Sequence, residues 1–267
     1  MRLAGCFLIA ALALAACSSS SKDEAYVERP VEELYNRAMD TALARQFRSA
    51  APMFDEVERQ HPYSVWATKA QLMAAYSRYQ SNQYDEALQG LDRFIELNPS
   101  HPDVAYAHYL RALSWYEQII DVGRDQEVTQ NALRYLEEVT RRFPDTTYAR
   151  DARLKIDLTR NHLAGKEMEI GRFYQKRGHF AAAINRFQKV IDNFQTTDQV
   201  PEALHRLTEC YLALGLRDQA AKTAAVLGHN FPGSDWYQDS YALLEGGPGS
   251  QQGESPGWFR RTITSLF

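Results

Sequence analysis

Small and apolar residues recur along this chain in one order: a small residue, two apolar residues following at helical spacing, and a proline that ends the run. Ala50, Phe54, Val57 and Pro62 set the order out, and Ala87, Leu91, Phe94 and Pro99 repeat it 37 residues later. Ala132, Leu136, Val139 and Pro144 make a third copy, Ala183, Phe187 and Val190 a fourth, and Ala220, Ala224, Leu227 and Pro232 a fifth. Apolar positions three and four apart share one face of an α-helix, so the copies predict helices over 47–60, 84–97, 126–142, 180–194 and 217–230. A second amphipathic run precedes each, over 31–45, 67–81, 103–119, 147–177 and 200–214. The small residue lets the two helices of a pair approach closely, the large one fills the space between them, and the proline stops the second helix. One pair cannot bury its own stripe, so pairs must stack.

This spacing resembles the tetratricopeptide repeat, and the fold expected is all-α, a superhelical solenoid of five helix pairs. Two departures stand out. Ile120–Glu127 is inserted between the helices of the third pair, where the second pair has only the tight turn around 82–85; loops of this kind often carry binding. Thr147 to Leu163 adds a stretch with no helix-breaking proline before Lys166, which predicts one helix lengthened into a spine. Gln195 stands where proline ends the other copies, leaving the exit of the fourth pair open.

The ends of the chain have a different character. Arg2 precedes an apolar run from Leu3 to Ala16, which closes on Leu14-Ala15-Ala16-Cys17 and opens onto Ser18 to Ser21. The run is too short for a permanent transmembrane helix. It reads as a lipoprotein signal peptide, 1–16, cut before Cys17, with 17–29 a lipidated flexible tether. Each acyl methylene buried in a bilayer adds about 0.8 kcal/mol of anchoring. The alternative is an ordinary secretory signal with Cys17 incidental. Resemblance to known lipoproteins adds that Ser18, rather than Asp, after the cysteine implies sorting to the outer membrane. At the other end, 246–257 is a Gly/Pro/Ser/Gln linker. The last ten residues put Trp258, Phe259, Ile263, Leu266 and Phe267 on one half of a helical wheel and Arg260 and Arg261 on the other. Such a tail suits a groove or interface, but ten residues hold no helix alone. Extended, Phe259, Ile263 and Phe267 share a face and suit an internal decoy for a binding groove.

Composition narrows the function. Cys210 is the one cysteine left beyond Cys17, so the mature chain has no internal disulfide, and its apolar helical setting predicts burial rather than reactivity. Residues 18–140 carry 12 basic and 20 acidic side chains, whereas 141–177 carry 10 and 5. The second span could form a basic surface for an acidic partner or lipid headgroups; equally, it could be a solvated helix laced with pairs such as Asp151–Lys155. The seven histidines are scattered, and the sequence holds no His-Glu-x-x-His, no cysteine pair, no Gly-x-Ser-x-Gly and no phosphate-binding loop. No enzyme, metal or cofactor is expected.

Binding is better supported. In a solenoid of this kind the first helix of each pair lines the concave face at positions 2, 5, 9 and 12. Counted from Val31, Thr68 and Ala105, these hold Glu32, Tyr35, Met39 and Ala42, then Lys69, Leu72, Tyr76 and Tyr79, then Tyr106, Tyr109, Leu113 and Tyr116. The tyrosines Tyr35, Tyr76, Tyr79, Tyr106, Tyr109 and Tyr116 form a candidate groove for an extended peptide, since tyrosine offers wide, stiff contact and a hydroxyl at small entropic cost. About half are expected instead to pack between repeats.

Taken with the cysteine motif, the runs Leu97-Asn-Pro-Ser-His-Pro-Asp103, Gly123-Arg-Asp-Gln126 and Leu163 to Gly178 resemble the repeat-containing lipoproteins of the outer-membrane β-barrel assembly machinery, over about residues 10–232. The resemblance implies a non-enzymatic scaffold, anchored to the outer membrane by lipid on Cys17 and facing the periplasm. Its repeats one to three, 30–146, would receive the C-terminal strand of unfolded β-barrel proteins. The half spanning 147–245 would dock on BamA, the barrel subunit, beside the other assembly lipoproteins, with Arg172, Arg177 and Arg186 the candidate contacts. Nucleic acid is not an expected partner. A different periplasmic repeat adaptor, coordinating envelope or peptidoglycan machinery, is the rival reading.

Overall fold

Helix pairs form where the apolar order repeats. The computed structural model describes residues 29–245, which carry eleven α-helices and no strand. Four of the five pairs are α1 (Val31–Leu43) with α2 (Phe47–Gln60), α3 (Val65–Gln80) with α4 (Tyr84–Leu97), α5 (Val104–Tyr116) with α6 (Glu127–Arg142), and α9 (Val200–Ala213) with α10 (Arg217–Asn230). The fourth in order along the chain joins α7 (Thr147–Lys176) to α8 (Phe180–Asn193), and α11 (Asp235–Glu245) comes after the last. The expected all-α solenoid and its helix boundaries are thus observed to within a few residues. The signal peptide, Cys17, the tether, the 246–257 linker and the tail lie outside the described residues.

The register read from the repeats is the register of the core. Ala50, Ala87, Ala132, Ala183 and Ala220 are fully buried, as are Phe54, Leu91, Leu136 and Phe187 and the third members Val57, Phe94, Val139, Val190 and Leu227. The core is a chain of apolar clusters running down the stack, from Leu34, Phe54 and Ala70 at one end to Phe187, Leu207 and Leu227 at the other. Each cluster is shared between neighbouring pairs, as expected of units that cannot bury their stripes singly.

The turns repeat too. Within four pairs the chain reverses through one residue in the left-handed region: Arg45 (φ 60°), Asn82 (60°), Gly178 (75°) and Gly215 (75°). Each turn is closed by the same two bonds, such as Gly178 N–H to Gln175 O at 3.0 Å and His179 N–H to Tyr174 O at 3.0 Å. Between pairs, His61, Asn98, Phe143, Phe194 and Phe231 adopt φ from −129° to −135°. Proline comes next after four of them. The fourth pair, with Gln195, makes the same turn, and Thr197 N–H donates to Phe194 O at 3.1 Å as Thr146 N–H does to Phe143 O at 3.2 Å. Proline favours this exit but is not needed for it, because the backbone bonds are identical.

Residues 147–176 form a single 30-residue helix. Its first half lies beside α5 and its second beside α8 and α9, so α7 joins the two halves of the stack. Gly171 makes the α7–α8 crossing possible: a Cβ there would stand 2.4 Å from Phe187 Cε1. The repeat pattern does not predict α11. It packs on α9 and α10 and turns Asp235, Gln238 and Asp239 outward, so its solvated face ends the array.

Candidate functional site

The first helices of pairs two and three carry Tyr76, Tyr79, Tyr106, Tyr109 and Tyr116, each half-buried, on one connected face, while Ala42 and Leu72, counted with the groove positions, turn into the core. Tyr35 stands apart at the N-terminal end, packed on Trp66 (4.8 Å between centroids) and Phe54 (5.6 Å). Tyr76 meets Phe47 edge-on at 5.9 Å. Tyr79 meets Tyr84 at 5.8 Å, and its hydroxyl donates to Glu117 Oε1 at 3.4 Å across to the end of α5. Tyr106 and Tyr109 both contact Tyr148 of α7, at 5.5 and 5.3 Å. The Tyr109 hydroxyl donates to the Asp151 carboxylate, while Lys155, 2.9 Å from Asp151, lies over the Tyr116 ring at 5.5 Å.

The result is a strip of aromatic rings edged by acids, crossing α3, α5 and α7. Burial raises the Tyr79 hydroxyl to about 12, with Glu117 adding to it. Burial also raises Tyr106, and burial with the hydrogen bond to Asp151 raises Tyr109. These hydroxyls stay protonated and able to donate at any ordinary pH. Past Tyr116 the strip opens into a cleft of about 280 Å³ lined by Tyr116, Glu117, Ile119, Leu158, Thr159 and His162. Leu154 and Leu158 on α7 are largely exposed beside it. Such a surface can hold an extended apolar or aromatic segment against its rings. Of the six, Tyr35 packs between the first two pairs, against Phe54 and Trp66.

Tyr148, Asp151, Lys155 and Leu158 of α7 also lie along the strip or its cleft, and the sequence held a partial signal for them. Thr68 and Ala105 stand six residues after Pro62 and Pro99; the same count from Pro144 starts at Arg150, which makes Asp151 and Leu158 positions 2 and 9 and leaves Tyr148 and Lys155 outside the rule.

The arginine candidates are partly engaged within the chain. Arg172 Nη1 lies 3.1 Å from both oxygens of Glu202. Arg186 pairs with the buried Glu167 at 3.1 Å, where Lys189 also binds. Arg177 stacks over the exposed Phe173 ring at 4.2 Å. Elsewhere in the basic span Lys155 pairs with Asp151, Arg160 with Glu137 at 2.7 Å and Arg142 with Glu138 at 2.9 Å, so the reading as an ion-paired helix holds for much of it.

Two buried polar groups were also unforeseen. His205 joins Ser240 of α11 (Nδ1 to Oγ, 2.8 Å) to Glu209 (Nε2 to Oε1, 2.9 Å). The order serine–histidine–carboxylate is that of a hydrolase, but all three are buried from solvent, so the group fastens α11 to α9. In repeat three, buried His108 sits with Arg111, which reaches Asp92 at 2.9 Å and Glu138 at 2.8 Å. Burial, then Arg111, lowers its imidazole to about 4. Cys210 is fully buried and burial raises its thiol to about 12, as its apolar setting predicted. Among the described residues no cluster of side chains is arranged to hold a metal ion, and no helix is long and apolar enough to cross a membrane.

Residues 27–227 match the family YfiO, described as an outer membrane lipoprotein. Over 239 residues the chain is 50% identical to the outer membrane protein assembly factor BamD of Caulobacter vibrioides, covering 89% of this chain and 78% of that one. The factor of the same name from Rickettsia prowazekii is 46% identical, covering 91% of this chain and 97% of its own. Among solved structures the tetratricopeptide-repeat domain of P58(IPK) is similar at 13% identity and a TM-score of 0.42, covering 88% of this chain and 64% of that one. The repeat assignment rests on the helix pairs described above rather than on that superposition.

Proposed function

The chain belongs to the YfiO family of outer membrane lipoproteins, among the assembly factors named BamD, and on that premise we propose that it is a scaffold of outer-membrane protein assembly that receives unfolded β-barrel proteins. The observation that carries the reading is the strip of Tyr76, Tyr79, Tyr106, Tyr109 and Tyr148, edged by Glu117 and Asp151. Stiff rings with protonated hydroxyls suit an extended strand, whose side chains alternate between the rings and solvent. The scaffold works by binding, without enzymatic chemistry. It is held at the outer membrane by lipid on Cys17 and faces the periplasm.

Its C-terminal half docks on BamA, with Arg177 the most available of the three arginines and Arg172 and Arg186 held ready by Glu202 and Glu167. The groove is tested by crosslinking a strand peptide with a terminal aromatic residue to the full chain. Tyr76→Ala with Tyr79→Ala and Tyr109→Ala should lower the yield severalfold, and an unchanged yield overturns the assignment. For docking, Arg177→Glu should reduce copurification with BamA while leaving thermal stability as it was; normal copurification removes Arg177 from the contact. Mass spectrometry of membrane-extracted protein reads the lipid on Cys17 directly.

A further inference from the structure

One edge of the C-terminal repeats, where the turns within pairs lie, carries an apolar surface open to solvent, with Arg177 over one face of Phe173. Phe173, Leu214 and Leu216 are 48%, 46% and 47% exposed. Beside them Tyr174, Gly178, His179, Phe180 and Leu214 border an open cleft of about 540 Å³. Large apolar side chains gathered at one place in water mark a surface that something covers.

The chain leaves the last helix at this same edge. Ser240 meets His205 at an offset of 35 residues, which sets Glu245, the end of α11, level with Cys210 and one helical turn short of Leu214. α9 runs beside α7, with Gln175 donating to Glu209 at 2.7 Å. Two helix spacings, about 20 Å, therefore separate the end of α11 from Phe173.

The segment after Glu245 has the length and composition to cross that distance. Residues 246–257 contain no large apolar side chain, and twelve residues of this composition have a root-mean-square span of about 20 Å. Then come the five apolar residues Trp258, Phe259, Ile263, Leu266 and Phe267 on one half of a helical wheel, with Arg260 and Arg261 opposite. This segment lies beyond the family match, which ends at 227.

We propose that residues 258–267 seat on this edge of their own chain, the apolar half over Phe173, Leu214 and Leu216 and the arginines outward. Lys176 and Arg177 flank the surface and would repel Arg260 and Arg261 facing inward, which fixes the orientation. A linker whose span matches the separation gives an effective concentration in the millimolar range. A segment too short to stay helical alone can therefore engage at modest intrinsic affinity.

The test uses the full chain with a photoreactive residue at position 263, irradiated in dilute solution and mapped by mass spectrometry. Adducts within one chain to 173–182 or 214–216 are expected, and Leu214→Glu with Leu216→Glu should cut their yield about fivefold or more. Both leucines are half in water, so the solenoid should persist, which circular dichroism checks. Phe259→Glu should give the same loss without touching the solenoid. Adducts between two copies, to lipid or detergent, or to the strip around Tyr79 and Tyr116 overturn the proposal, as does a yield unchanged in the variants. The readout involves no partner protein, so its failure leaves the docking role of Arg177 untouched.

Discussion

Gly165 and Gly171 lie six residues apart in α7, yet alanine should act on them with opposite sign. A Cβ at Gly171 would stand 2.4 Å from Phe187 Cε1 and 2.8 Å from Cδ1 and Cζ, and Phe187 is fully buried. At Gly165 the nearest atoms are the Val122 methyls, at 3.7 and 3.9 Å, ordinary contact. Glycine to alanine inside a helix is worth about 1 kcal/mol in its own right, whereas forcing extra volume into a packed core costs about 1–3 kcal/mol. The intrusion at Gly171 is more than an ångström inside contact distance, so overpacking wins. Gly171→Ala should lose up to about 2 kcal/mol, and Gly165→Ala should gain up to about 1 kcal/mol. Urea unfolding of the purified chain followed by far-ultraviolet circular dichroism reads both as shifts in midpoint. Repeat arrays can lose cooperativity, so the slopes of the transitions must be compared before midpoints are. Phe187→Leu added to Gly171→Ala should cost less than the two separate losses together, because the smaller side chain vacates the contested space. Midpoints that move the same way for both glycines, or fully additive losses in the double variant, would refute the reasoning.

Buried His108 and the repeated turns give further expectations. His108, lowered to about 4 by burial and Arg111, binds a proton less readily in the folded chain than in the unfolded one, where histidine titrates near ~6.5. Its contribution is whole above about pH 6.5 and is lost as pH falls toward 4, roughly 2 kcal/mol of it by pH 5; His108→Gln should flatten the fall in urea midpoint between pH 7 and 5. At the turns, Gly178→Ala places a side chain at φ 75° and should cost about 1 kcal/mol. Arg45→Gly, at φ 60°, should leave the thermal midpoint unchanged or raise it. Ser240→Ala removes the bond to buried His205 and should destabilise by about 1–2 kcal/mol, with amide exchange rising first over 235–245.

The features that sequence patterns missed share a character. α11 carries apolar residues at helical spacing, Trp236, Tyr237, Tyr241 and Leu244, but escaped because the repeat order is written on the second helix of a pair and no partner helix comes after it in the described residues. Tyr148 and Asp151 escape because the extra stretch from Thr147 to Leu163 reads as a spine rather than as another concave wall. Arg172 and Arg186 read as free basic contacts because Glu202 and Glu167 lie 30 and 19 residues away, beyond any local pattern. The turn after Phe194, by contrast, formed without its proline because the backbone bonds that close it are those of the other four exits.

The helices, their buried faces and the order of the stack were legible in the chain alone, since these depend on apolar spacing of three and four residues and on turn chemistry, both local. Ala50, Ala87, Ala132, Ala183 and Ala220 needed no tertiary information to be placed in the core. Which distant side chains meet was settled by packing: Tyr109 with Asp151 across 42 residues, Tyr79 with Glu117 across 38, His205 with Ser240 across 35. Each separation is near one repeat length, with the 120–127 loop lengthening the one from Tyr109 to Asp151, but which side chains meet depends on how whole helices pack against each other, and that lies beyond local spacing.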